Sequence, residues 1–85
     1  MPLYKITISS LAQKQLNKLQ DNIVKRLIEA IYKLAENPRP AGYKRLKGRD
    51  GCRIRVGDYR IIYEILDGEL LIEVVALGHR KDIYN

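Results

Sequence analysis

The sequence predicts an α+β domain: two N-terminal helices packed on one face of an antiparallel β-sheet, in the order β-α-α-β-β-β. Three observations predict it. Apolar and polar residues alternate in short runs near the start and through the C-terminal half, as in half-buried strands. Between them, apolar residues recur at helical spacing from Ala12 to Ala35. Two tight-turn dipeptides, Gly57-Asp58 and Asp67-Gly68, divide the C-terminal half into a three-stranded meander. One face of that meander is wholly apolar and needs a cover, which the helices supply.

Each element has its own signal. Leu3–Ile8 alternates, with Tyr4, Ile6 and Ile8 on one side. This first strand joins the sheet at a place that patterning alone does not assign. Ser10-Leu11-Ala12-Gln13 fits a capping box that starts helix one, which carries Ala12, Leu16, Leu19 and Ile23 at helical spacing. Asp21-Asn22 interrupts it and offers a second N-cap. Helix two shows Val24, Leu27, Ile28, Ile31, Leu34 and Ala35 on one stripe. Asn37-Pro38 ends it, because the residue before proline avoids helical geometry. Tyr43–Leu46 reads as a short strand and Lys47–Gly51 as a loop.

Cys52–Tyr63 is a hairpin about Gly57-Asp58. A two-residue turn pairs Val56 with Tyr59, Arg55 with Arg60, Ile54 with Ile61 and Arg53 with Ile62. Side chains alternate across a strand, so Cys52, Ile54, Val56, Tyr59, Ile61 and Tyr63 share one face. Arg53, Arg55, Arg60, Ile62 and Glu64 share the other. A two-residue turn at Asp67-Gly68 pairs Ile61 with Val74, Tyr63 with Ile72 and Ile65 with Leu70. Arg60 then opposes Val75, and Leu77 lies opposite Asp58.

Length and charge bound the function. Eighty-five residues make one domain, 1–85. The apolar fraction, 46%, is ordinary, but a net charge of +6 on so short a chain points to a polyanionic partner. The single cysteine, Cys52, rules out an internal disulfide, and its place on the apolar hairpin face makes it a buried thiol. One histidine without a cysteine partner gives no metal-site spacing. Neither a signal peptide nor a membrane span is recognisable, so a cytoplasmic location, no membrane partner and no small-molecule cofactor are expected.

The outer hairpin face is where chemistry is expected. Like charges directly opposite on a ladder destabilise it, so Arg55 against Arg60, with Arg53 beside them, calls for an anion between them. The tail His79-Arg80-Lys81-Asp82-Ile83-Tyr84 emerges at the same end, so Arg80 can join them. Guanidiniums fork onto phosphate oxygens and stabilise the extra charge of a pentacovalent transition state. RNA brings its own nucleophile, the 2′-OH, so a protein need only move protons and hold geometry. An imidazole titrates near neutrality, and neighbouring cations favour tyrosinate, which makes His79 and Tyr84 candidate proton carriers. Lys44, Arg45, Lys47 and Arg49, with Lys81 in the tail, are candidate RNA contacts or simply solvated charge.

The chain also resembles a known family over essentially its whole length. Leu46-Lys47-Gly48, the run Arg53–Tyr63 and the terminal Gly78–Tyr84 look like the RelE/ParE superfamily of bacterial and archaeal toxins, with the RelE branch fitting best. The resemblance implies the toxin of a type II toxin–antitoxin pair. It implies a metal-independent endoribonuclease that cuts mRNA in the ribosomal A site by 2′-OH attack, and a RelB-type antitoxin that blocks it. The family's basic pair before the turn falls on Arg53 and Arg55, its next arginine on Arg60, its C-terminal arginine on Arg80 and its terminal tyrosine on Tyr84. The family type has lysines where this chain has Arg53 and Arg55. Arginine does not lose its proton, so Tyr84 becomes the favoured base and His79 the second proton carrier. Two other expectations follow from the same superfamily and charge: a ParE-type poison of DNA gyrase, or a non-catalytic module that binds RNA or antitoxin.

Overall fold

Ser9 is where the first strand turns into the first helix. Its backbone is extended (φ −64°, ψ 161°), and its N–H still donates to the Val74 carbonyl at 2.9 Å, as part of the sheet. Its Oγ accepts from the Ala12 N–H at 3.1 Å and donates to the Val75 carbonyl at 2.7 Å. The cap is therefore Ser9, one residue before the expected capping box, because pairing with the sheet holds Ser9 extended. Ser9→Ala removes both bonds and is expected to cost about 1–2 kcal/mol, read as a lowered urea midpoint with an unchanged slope.

The computed structural model describes residues 3–82. Their order is β1 (Lys5–Ile8), α1 (Ser10–Asn17), α2 (Asp21–Glu36), β2 (Lys44–Arg45), β3 (Cys52–Val56), β4 (Tyr59–Leu66) and β5 (Leu71–His79). Asp21 sits in the first turn of α2, where its carboxylate meets the positive end of the helix dipole. Gln20, not Asp21 or Asn22, is the N-cap, and no side chain caps that end. Leu27, Ile31, Leu34 and Ala35 are the buried stripe of α2, and Asn37 ends it as expected.

The sheet runs β1-β5-β4-β3-β2. It is mixed, not wholly antiparallel: β1 lies parallel to β5 at one edge, with Lys5 opposite Leu71 and Ile8 opposite Val74. A parallel neighbour needs a long crossover. Here the chain between β1 and β5 holds both helices and the other three strands. Both helices cover one face. Ala12 and Leu16 of α1 join Leu27, Ile31 and Leu34 of α2 against Cys52, Ile54, Ile61, Tyr63, Ile72, Val74 and Leu77. Leu46 folds onto Ile62 on the opposite face, with Val75 and Ala76 against them, so that face is part apolar.

The β3–β4 hairpin has the expected register, from Cys52 opposite Tyr63 to Val56 opposite Tyr59. Gly57 takes φ +62°, the left-handed first turn position that glycine occupies without strain. The β4–β5 register differs from expectation. Leu66 pairs with Leu71, so the connection spans four residues, with a 3₁₀ turn at Asp67–Glu69 and Leu70 at φ +50°. Tyr63 faces Val74, and an irregularity then adds one residue, so that Ile61 faces Leu77. The extra residue carries Leu77 into the core, where strict alternation would have put the smaller Ala76.

At the β4–β5 end, Tyr4 Oη donates to Asp67 Oδ1 at 2.6 Å and Arg39 Nη2 pairs with Asp67 Oδ2 at 2.7 Å. The Arg39 bond first, then that from Tyr4, holds the Asp67 carboxyl below its usual value. The Arg39 and Asp67 side chains are exposed, so the network orders the β1 entry more than it stabilises the fold.

Candidate phosphate-binding cleft

The tip of the β3–β4 hairpin carries the charge. Arg55 stands directly opposite Arg60, and Arg53 lies two residues back on β3. All three are on the face away from the helices, as strand alternation requires. On the other flank of β4, Arg60 faces Gly78 of β5, which places no side chain against it. The β5 strand then ends beside the turn: the Arg80 N–H donates to the Asp58 carbonyl at 2.8 Å, and Arg80 Nε lies 3.9 Å from Asp58 Oδ1. Under the expected register Leu77 would have stood there. The two residues added at the turn and the one at the bulge bring Arg80 to Asp58 instead.

The result is a cleft of about 110 Å³ lined by Arg55, Gly57, Asp58, Tyr59, Arg60 and Arg80. Three arginines face one carboxylate, that of Asp58. Partial burial pulls the Arg53 guanidinium below its ordinary pKa, and the charges of Arg60 and Arg55 pull it further. It stays protonated, as arginine does. Arg60 Nε is buried and has no hydrogen-bond partner among the described residues. An unpaired buried charged donor costs free energy that an anion's oxygen would recover.

The remaining sequence candidates lie elsewhere. His79 stands opposite Tyr59, on the side the helices cover, and is not in the cleft lining. Its ring meets the Tyr59 ring edge-on, centroids 5.5 Å apart, and its Nδ1 accepts from the Lys81 N–H at 3.1 Å. Lys81 is exposed beside Arg80, at the cleft's end of the sheet. Lys44 is opposite Arg53 and shares the arginine face. Arg45 is opposite Cys52 and points to the other side, into a separate depression of about 470 Å³ shared with Arg39, Tyr43 and Glu64. Lys47 and Arg49 are exposed in the loop at the far end of β3, about 10 Å or more from the turn. Tyr84 lies outside the described residues. The Cys52 thiol is buried as expected, and burial pushes its pKa up. The sequence marks Asp58 only as a turn residue; its hold on Arg80 depends on the β4–β5 register and has no local signature.

The sequence matches, over residues 6–84, the family described as the ParE toxin of the type II toxin–antitoxin system parDE. This chain belongs to the RelE/ParE family of type II toxins. The toxin is 29% identical to toxin RelE of Mycobacterium tuberculosis, over 95% of this chain and 86% of that one. Its fold matches a chain of the toxin–antitoxin complex RelBE2 of Mycobacterium tuberculosis with a TM-score of 0.85 at 25% identity, covering 94% of each. It likewise matches a chain of the archaeal RelE–RelB complex of Pyrococcus horikoshii, with a TM-score of 0.81 at 28% identity, over 98% of this toxin and 100% of that chain. Two helices on a five-stranded mixed sheet are thus the fold this toxin shares with RelE toxins. Among its described residues no helix is long and apolar enough to cross a membrane, and no group of three metal-ligating side chains forms.

Proposed function

We propose that this toxin is a ribosome-dependent, metal-independent endoribonuclease that cuts mRNA, and that a RelB-type antitoxin restrains it. The convergence of Arg55, Arg60 and Arg80 on one small cleft carries the reading. A phosphodiester in that cleft meets three forked cations, with Arg53 adding charge behind them. The RNA 2′-oxygen attacks phosphorus while Tyr84 takes its proton. The P–O5′ bond breaks, water supplies a proton to the departing 5′-oxygen because His79 lies on the helix-covered side away from the cleft, and a 2′,3′-cyclic phosphate remains. The fold gathers the arginines at the cleft before substrate arrives, so less reorganisation is needed to stabilise the pentacovalent charge. Lys44, Arg45, Lys47, Arg49 and Lys81 supply the wider basic surface for RNA, in a cytoplasmic protein. The antitoxin reading is supported by the solved relatives, which are RelE–RelB complexes.

The matched family's ParE description favours a second reading, a poison of DNA gyrase acting through protein contacts. Primer extension on an mRNA after toxin induction separates them. Discrete new 5′ ends within open reading frames are expected. Intact mRNA with trapped gyrase–DNA breaks would replace the first reading by the second. Intact mRNA with only salt-sensitive RNA binding would reduce the toxin to a binding module.

A further inference from the structure

A fourth guanidinium reaches the hairpin turn from the helix layer. Arg26 is on the exposed side of α2. A Cβ at Gly57 would sit 2.8 Å from Arg26 Nη2 and 3.6 Å from its Cζ. The Arg26 head group therefore rests against the turn backbone, on ground left open because residue 57 has no side chain. Gly57 also lines the arginine cleft. The turn is thus straddled, with Arg55, Arg60 and Arg80 on one flank and Arg26 on the other.

No carboxylate lies within 4.0 Å of the Arg26 guanidinium among the described residues. The nearest carboxylate of the turn, that of Asp58, is directed to Arg80. Four cations about one turn repel each other, and no ion pair among the described residues offsets this at Arg26. A single-stranded nucleic acid carries a charge at every nucleotide. A strand whose scissile phosphate sits among Arg55, Arg60 and Arg80 has a neighbouring phosphate one nucleotide away. We infer that Arg26 holds this neighbouring phosphodiester, so that the toxin grips two consecutive phosphates across its hairpin turn. The inference rests on the endoribonuclease reading and deepens it. Arg26 contacts substrate away from the bond being broken, so its grip is the same in the ground and transition states and belongs in KM.

The test uses the full-length toxin, freed of antitoxin, on ribosomes programmed with an mRNA. Arg26→Ala and Arg26→Gln are measured beside Arg60→Ala, and a thermal melt checks that each folds. Arg26→Gln keeps most of the side-chain stem on α2, so it serves if the alanine variant is unstable. Both are expected to raise KM about tenfold, the scale of one lost charged hydrogen bond, with kcat within about twofold. Arg26→Lys is expected to recover part of the loss, because a point charge still meets the phosphate. Binding of a short labelled single-stranded RNA should lose about 0.7 from its log K against log salt slope in Arg26→Gln. An unchanged KM and salt slope in Arg26→Gln, with Arg60→Ala inactive, would overturn this inference and leave the endoribonuclease reading standing. A fall in kcat with KM unchanged would also overturn it. Full cleavage by Arg60→Ala would remove both.

Discussion

Arg60→Ala is expected to abolish mRNA cleavage and growth arrest, with a rate loss of about 10²–10³ or more, the scale of removing one preorganised donor. Arg60 is the central cation of the cleft, flanked by Arg55 across β3 and by the glycine at position 78 across β5. Among the described residues its side chain makes no ion pair. Its Nε is buried without a partner, and its charge opposes that of Arg55. Removing both burdens should leave the variant at least as resistant to urea as the parent. Loss of function with unreduced stability separates a role in chemistry from a role in folding. Full cleavage by this variant, in primer extension on an induced mRNA, would remove the proposed mechanism.

Tyr63→Ala should have the largest effect on stability. Tyr63 is fully buried at the centre of the core, and its hydroxyl donates to the Pro38 carbonyl at 2.6 Å. Truncating a buried aromatic costs about 3–5 kcal/mol. A domain of this length has a total stability of roughly 4–13 kcal/mol, so the loss is a large share of it and should appear as a much lower urea midpoint. Tyr63→Phe keeps the ring and should cost only about 1–2 kcal/mol, since it leaves the Pro38 carbonyl unmatched.

The pH dependence identifies the same hydroxyl. Burial, and then the neighbouring Cys52 and Tyr43, push its pKa well above the ordinary tyrosine value of 10.0. A raised folded value means that the neutral form is the one the fold holds. This contribution is complete below about pH 10, where the unfolded chain is also neutral. It is lost as pH climbs further, because unfolded chains ionise while folded ones do not. Urea titrations above pH 10 should show stability falling with a shallower slope in Tyr63→Phe than in the parent. Parallel slopes would count against the buried hydroxyl as the source.

How much was legible in the sequence depended on whether a local signal fixed each register. Gly57 at the first turn position determined the β3–β4 hairpin, and with it the pairing of Arg55 with Arg60. Asp67-Gly68 carries a similar turn signal, yet a four-residue connection with Leu70 at positive φ replaces a two-residue turn there. A shift of two residues keeps each side chain on its face, so the inner faces of Tyr63, Ile65, Ile72 and Val74 were still legible. The bulge beside Ile62 was not, because nothing in Val75-Ala76-Leu77 says which of them the helices will cover. Pairing of β1 with β5 was equally silent, since four alternating residues fit either edge and either direction. At the site, Arg55, Arg60 and Arg80 could be grouped from turn and tail. Arg26 could not: it reads as one more outward charge on a helix, and only tertiary packing brings it to Gly57.

The parallel pairing of Lys5 with Leu71 joins residues sixty-six positions apart, and a chain is made from its N-terminus onward. Closing so wide a loop is entropically slow, and it cannot begin until β5 has been synthesised. During translation β1 therefore waits without its partner until β5 has emerged. The segment that completes the sheet beside β1 also brings Arg80 to the hairpin turn, so edge pairing and the assembly of the arginine cleft wait on the same stretch of chain.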